Sequence, residues 1–172
     1  MRRLAHRADR ELSAWVRSVP IPDLRWNVII RLPEKCTKEA WMIRGFEHVG
    51  MTSSNLDASI AFYCGLLGLT EALVKPTREG GRIAFLDAGG VMLEIVEPPA
   101  PVETPAREVP VGEAGIRHIT FRVDDVEAAY DRLRSAGVEF TIAPRKAVHS
   151  ELVSKVAFCS DPDGIIVELL QR

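Results

Sequence analysis

The sequence predicts an α+β fold built twice over, each half running strand, helix, strand, strand, strand (βαβββ). Three observations carry this prediction. "EHVGMTSSNLDASIAFY" (47–63) and "RHITFRVDDVEAAYDRL" (117–133) share an order: a strand holding a histidine, a polar turn, then a helix. At an offset of seventy, His48 meets His118, Leu56 meets Val126, Asp57 meets Glu127 and Ile60 meets Tyr130. Each half closes on a glycine followed four residues later by glutamate: Gly90 to Glu94, and Gly164 to Glu168. A repeat this long, occurring twice, points to a pseudo-two-fold domain rather than a solenoid.

Residues 1–41 form an N-terminal extension of unassigned role. Pro20, Pro22 and Pro33 break it up, and Leu4, Leu12, Trp15 and Val16 suggest only a short helix around 8–18. The first module spans 42–98. "IRGFEHVGM" alternates as a strand with His48 in its middle. "NLDASIAFYCGLLG" has apolar residues near helical spacing, Asn55 as N-cap and Gly68 closing it. "LTEALVK" and "GRIAFLDA" read as strands, and Gly89-Gly90 turns into the strand "VMLEIVEP". Residues 99–114 are proline-rich and aperiodic, a linker. The second module, 115–172, repeats the order. "GIRHITFRV" is a strand, with Asp124 or Asp125 capping the helix "VEAAYDRLRSAG" and Gly137 ending it. "EFTIAP", "LVSKVAFCS" and "IIVELLQR" are strands, the last entered through the turn "DPDG".

Composition narrows the function. The 172 residues are 47% hydrophobic and 27% charged, with a net charge of −2. No overall basic character favours nucleic acid or an anionic membrane. No apolar run approaches the roughly 20 residues of a membrane helix. "MRRLAHRADRELSAWVRS" lacks the apolar centre of a secretory signal, so a cytoplasmic protein is expected. Cys36, Cys64 and Cys159 are scattered, odd in number and without a CxxC, as for reduced thiols.

Strand alternation sorts the side chains. Ile119, Phe121 and Val123 share the helix-facing side, while His118, Thr120 and Arg122 look the other way. Glu94 and Glu168 sit mid-strand among large apolar neighbours, where a carboxylate without a charge partner is costly to desolvate. His48, Glu94, His118 and Glu168 together offer two imidazoles and two carboxylates, a set suited to one divalent metal ion. The two negative charges balance the ion, and six-coordination leaves two positions for water or substrate oxygens. Ni, Co, Zn and Mn all suit such a set. Arg122, on the same side, and Arg145 and Lys146, in an expected loop after Pro144, are candidates for binding an anionic substrate tail. His6 and His149 have no counterpart in the repeat and read as surface residues, His149 near the same loop.

"FEHVGMTSSNLDASIAFYCGLLGL", "VMLEIVEP", "RHITFRVDDVEAAYDRLRSAGVEF" and "SDPDGIIVELLQ" resemble the vicinal oxygen chelate superfamily. Glyoxalase I, methylmalonyl-CoA epimerase, fosfomycin- and bleomycin-resistance proteins and extradiol dioxygenases belong to it. The resemblance covers residues 42–172. It implies a curved mixed sheet around a metal cleft, with His48, Glu94, His118 and Glu168 on the metal positions. The His/Glu/His/Glu set is that of glyoxalase I; the epimerase carries Gln at the position of Glu94. Two features depart from bacterial glyoxalase I. Thr52 stands where an Arg would bind the glutathione carboxylate, and Pro98 stands in place of an Asn. Glu79 is a candidate for the epimerase's second carboxylate.

The resemblance implies a metal-dependent lyase or isomerase that removes a proton next to a carbonyl, with Glu168 or Glu94 as the base and Glu168 favoured. The substrate would be a small carbonyl compound, as a thiol or CoA adduct. An epimerase, a thiol transferase or dioxygenase, and a non-enzymatic toxin-binding protein are the alternatives on the same fold. A homodimer is expected, and the site is left open between one chain and two.

Overall fold

The first strand of each module ends up beside the last, and this places both histidines. The computed structural model describes residues 43–102, 105, 106 and 108–172. The expected N-terminal extension, with its helix around 8–18, His6 and Cys36, lies outside the described residues. Residues 103, 104 and 107 of the linker do too.

In the first module β1 (His48–Thr52) leads to α1 (Leu56–Ile60), a π-helical turn (Ala61–Leu66), β2 (Thr70–Pro76), β3 (Arg82–Asp87) and β4 (Met92–Glu97). The second module runs β5 (Ile119–Arg122), α2 (Val126–Ser135), β6 (Phe140–Lys146), β7 (Lys155–Ser160) and β8 (Ile166–Gln171). The mixed sheet is realised as two four-stranded sheets, ordered β1-β4-β3-β2 and β5-β8-β7-β6. In each, the first strand pairs parallel to the last and the remaining pairs are antiparallel.

Local chemistry explains the helices. Asn55, in extended conformation, accepts a hydrogen bond from Ala58 N, and Asp125 accepts from Glu127 N and Ala128 N. The last strand of each sheet adds a second cap. Glu97 Oε1 accepts from Leu56 N at 2.9 Å, and Gln171 Oε1 from Val126 N at 3.1 Å. Gly68 (φ +84°) and Gly137 (φ +90°) take the left-handed conformation that ends each helical segment.

The helices differ beyond their first turns. α2 is a regular ten-residue helix, whereas α1 opens into a π turn, with Leu67 N bonded to Phe62 O. Spacing of apolar residues does not separate these two forms.

Alternation holds as read. Leu93 and Ile95 of β4, and Val167 and Leu169 of β8, are buried. They join Leu56, Tyr63, Leu86, Val126 and Leu133 in one core drawn from both modules. Each such side chain contributes on the order of 1.5–3 kcal/mol by leaving water. The modules also meet through polar contacts. Tyr63 Oη donates to Asp161 Oδ2 at 2.9 Å, and Ser54 N donates to Asp163 Oδ1 at 2.9 Å. Tyr63 packs against Phe121 across the same junction, with ring centroids 6.1 Å apart. The helix-facing sides of the sheets therefore carry the core, and the opposite side of each sheet is left open. Phe46–Arg172 form one compact unit. Among the described residues no helix is long and apolar enough to cross a membrane.

Two strand expectations change. His48 is the first residue of β1 and His118 immediately precedes β5, so neither lies mid-strand. The partners set this limit. β4 begins at Met92, opposite His48, and β5 pairs with β8 only from Ile119 opposite Val167. Arg145 and Lys146 belong to β6 rather than to a loop, because β6 continues through Pro144 as an edge strand.

Candidate metal centre

Each sheet carries one histidine–glutamate pair on its open side. His48 Nε2 stands 3.2 Å from Glu94 Oε2, and His118 Nε2 stands 3.2 Å from Glu168 Oε2. The parallel pairing of first and last strands produces both contacts. It sets Gly50 opposite Glu94 and Thr120 opposite Glu168, so a histidine two residues earlier leans onto the carboxylate. Apolar rings flank both glutamates: Phe85 lies opposite Glu94 and Phe158 opposite Glu168. His118 also meets the Phe158 ring edge-on at 5.6 Å. Each strand glutamate thus has the histidine of its own module beside it.

The donor chemistry fits a divalent cation. Two ligands about 2.1 Å from one ion and adjacent in its coordination shell lie about 3 Å apart, close to the 3.2 Å of each pair. The four residues nevertheless stay as two pairs. Among the described residues no three His, Cys, Asp or Glu side chains come together in a group that could hold a metal ion. The reason lies in the packing: the modules join through their helix-facing sides, and each pair stands on the side away from the core.

Two further residues touch the pairs. Glu47 Oε2 is hydrogen-bonded to His48 Nδ1. This bond raises the imidazole pKa above its ordinary value, with further help from the charges of Glu47 and Glu94. It is the kind of outer carboxylate that orients a histidine ligand. The sequence reading missed it because neighbours within a strand point to opposite sides. Glu47 lies just before β1, where that restriction lapses. Thr120 Oγ1 donates to Glu168 Oε2 at 2.7 Å.

The other candidate residues divide. Arg122 pairs with Leu170, on the side of Glu168. Arg145 pairs with Val156, itself opposite Leu170, so its register also points to that side. Lys146 pairs with Lys155, whose ammonium bonds Glu127 of α2, and so belongs to the helix-facing side. Glu79 is exposed in the turn between β2 and β3. His149 is exposed beside Glu151. Thr52 ends β1 opposite Val96. A surface hollow of about 420 Å³ lies elsewhere, lined by Phe62, Phe140, Thr141 and Asp161 at the junction of the modules, and none of the four ligand candidates lines it.

Comparison with known proteins agrees with this architecture. A probable lactoylglutathione lyase of Synechocystis is 28% identical over 129 residues, covering 72% of this chain and 92% of that protein. The mitochondrial methylmalonyl-CoA epimerase of Homo sapiens is 26% identical over 163 residues, 88% of each chain. The crystal structure of a glyoxalase family protein from Enterococcus faecalis superposes with a TM-score of 0.63 at 27% identity, covering 76% of this chain and all of that one. Residues 45–169 match the model of the Glyoxalase family. Two βαβββ modules with a histidine–glutamate pair on each, matched over most of the chain, make this protein a member of the Glyoxalase/Bleomycin resistance protein/Dioxygenase superfamily.

Proposed function

We propose that this protein is a divalent-metal-dependent lyase or isomerase of the glyoxalase I type, removing a proton from a carbon next to a carbonyl. The observation that carries the reading is the matched geometry of the pairs, His48/Glu94 and His118/Glu168, each with nitrogen and oxygen at 3.2 Å on an open sheet face. The names of the two relatives, a lactoylglutathione lyase and a methylmalonyl-CoA epimerase, support the same chemistry, since both reactions move a proton beside a carbonyl.

The four ligands are completed by a second copy of the chain, the His48/Glu94 pair of one meeting the His118/Glu168 pair of the other. Large apolar side chains at matching places support this homodimer. Phe46 and Ile116, each two residues before a ligand histidine, are 69% and 82% exposed. A bound Ni, Co, Zn or Mn ion would supply Lewis-acid polarisation of the substrate oxygens.

The chain's own residues do the rest. His48 and His118 would hold the ion through their ring nitrogens, and Glu47 orients His48. One of Glu94 and Glu168 takes the proton and returns it to the neighbouring carbon or to the opposite face of the same carbon. Arg122 and Arg145 hold an anionic tail of the substrate, a thiol or CoA adduct, with Lys146 a more distant contributor. Phe85 and Phe158 shield the reacting carbon from water.

The test is metal analysis of the purified protein, followed by assays on a methylglyoxal–thiol hemithioacetal and on methylmalonyl-CoA. Stoichiometric metal, with turnover of either substrate abolished by chelation, is the expected result. A protein that takes up no divalent metal, or that is fully loaded yet moves no proton in either substrate, overturns the reading.

A further inference from the structure

The two pairs match in spacing but not in surroundings. Glu94 faces Gly50 across the parallel ladder, where no side chain is available. Glu168 faces Thr120, whose hydroxyl donates to Glu168 Oε2 at 2.7 Å, the same oxygen that stands 3.2 Å from His118 Nε2. A hydroxyl bonded to a carboxylate makes a charge-assisted hydrogen bond, stronger than a neutral one. The β-branched threonine has restricted χ1 freedom, so its hydroxyl is held in place before any ligand arrives. Glu168 is also the more enclosed carboxylate, 13% exposed against 24% for Glu94. Among the described residues His48 is the polar partner of Glu94.

We infer that Thr120 is a positioning residue that fixes Glu168 as a stationary ligand, and that the bare backbone of Gly50 leaves Glu94 as the carboxylate free to move. A carboxylate that carries a proton between two carbons must shift between them. Glu168 would have to break the Thr120 bond to do so, whereas Glu94 has no such tether. The roles of the glutamates thus reverse the expectation drawn from sequence resemblance, in which Glu168 is the favoured base. This inference rests on the metal-dependent reading proposed above.

The test uses the full chain and Mn²⁺ alone, by titration calorimetry. Thr120→Val should weaken Mn²⁺ binding by about tenfold, the low end of the loss seen when outer-shell partners are removed. Thr120→Ser, which restores the hydroxyl, should return affinity to within about twofold of the native protein. Equal losses in both variants, or no loss in Thr120→Val, overturn the inference. If the native protein binds Mn²⁺ stoichiometrically in that case, the metal-dependent reading stands. If the native protein binds no Mn²⁺, both fall. A complementary variant is Gly50→Thr. A Cβ there meets nothing within 4 Å, so the branch point of the new side chain has room. It should tether Glu94 and lower kcat about tenfold while leaving Mn²⁺ affinity undiminished. An unchanged kcat overturns the assignment of Glu94 as the mobile carboxylate.

Discussion

Replacing Tyr63 by phenylalanine removes one oxygen from the junction of the two modules and leaves the ring packing in place. The ring contacts Phe62 edge-on at 5.0 Å and Phe121 at 6.1 Å, and phenylalanine retains both. The hydroxyl donates to Asp161 Oδ2, and Asp161 is only 5% exposed. Its other oxygen, Oδ1, keeps two backbone donors, Asp163 N at 2.9 Å and Ile165 N at 2.8 Å. The substitution therefore strands one buried carboxylate oxygen. A hydrogen bond to a charged group is worth about 1.5–3 kcal/mol, so a loss of about 2 kcal/mol is expected at pH 7. For a folded unit the size of Phe46–Arg172, unfolding entropy is about 0.27 kcal/mol/K, and the melting temperature should fall by about 7 °C.

The loss should depend on pH with a definite sign. Burial holds the Asp161 carboxyl above its ordinary value, partly offset by bonds from Ile165 N, Tyr63 and Asp163 N. A raised acid is most favourable to the folded state below its unfolded pKa, and that contribution is lost as pH rises through the folded value. Removing the Tyr63 hydroxyl raises the folded value further. The deficit of Tyr63→Phe should thus be largest at pH 7 and shrink towards about 1 kcal/mol near pH 4, where a neutral acid strands a smaller charge. Calorimetric melts of both proteins at the two pH values provide the assay. A variant as stable as the native protein at pH 7, or a deficit that grows on acidification, would refute the reasoning.

Three other outcomes are expected. Gly81→Ala brings a Cβ to 2.2 Å from Glu97 O, so urea unfolding should show a loss of about 2 kcal/mol or more, whereas Gly65→Ala, with nothing within 4 Å, should lose none. Glu97 is held below its ordinary pKa by Arg82 and by Leu56 N, so its contribution is present above the ordinary glutamate range and is lost as pH falls through the lowered value. Arg82→Met should flatten stability against pH in that acidic range, and an unchanged acid limb would contradict the assignment. If the proposed site between two copies is right, His48→Ala and His118→Ala should each fail to bind metal tightly, while mixing the two variants should recover one ion per pair of chains by placing both intact pairs in one site. Mixtures no better than either variant alone, by metal titration, would refute a site shared between two copies.

Much of this was legible in the chain itself. The repeat, both helix caps and the inward faces of β4 and β8 follow from patterns of two and 3.6 residues and from capping chemistry, which act over a few neighbours. The association of histidine with glutamate in each half was legible too, because a costly strand glutamate recurs with a histidine in both halves. Glu47 was not, since alternation separates adjacent residues and nothing in the sequence says that β1 starts one residue later. The π turn was not, because a single wider turn over Ala61–Leu66 is too short to show against the 3.6-residue apolar period. Arg145 and Lys146 were misplaced because Pro144 reads as a strand end, while an edge strand tolerates proline.

Local periodicity therefore determined the elements, their inward faces and the residue types at the site. Tertiary structure decided how those residues meet. Parallel pairing of first and last strands brought each histidine to the glutamate of its own module, and burial of Tyr63, Phe121 and their neighbours joined the modules through the helix-facing sides. That arrangement buries apolar surface between the modules, and it leaves two separate histidine–glutamate pairs rather than one cluster among the described residues. It also decided the difference between the halves, because only the ladder register reveals that Glu168 faces a threonine and Glu94 a glycine.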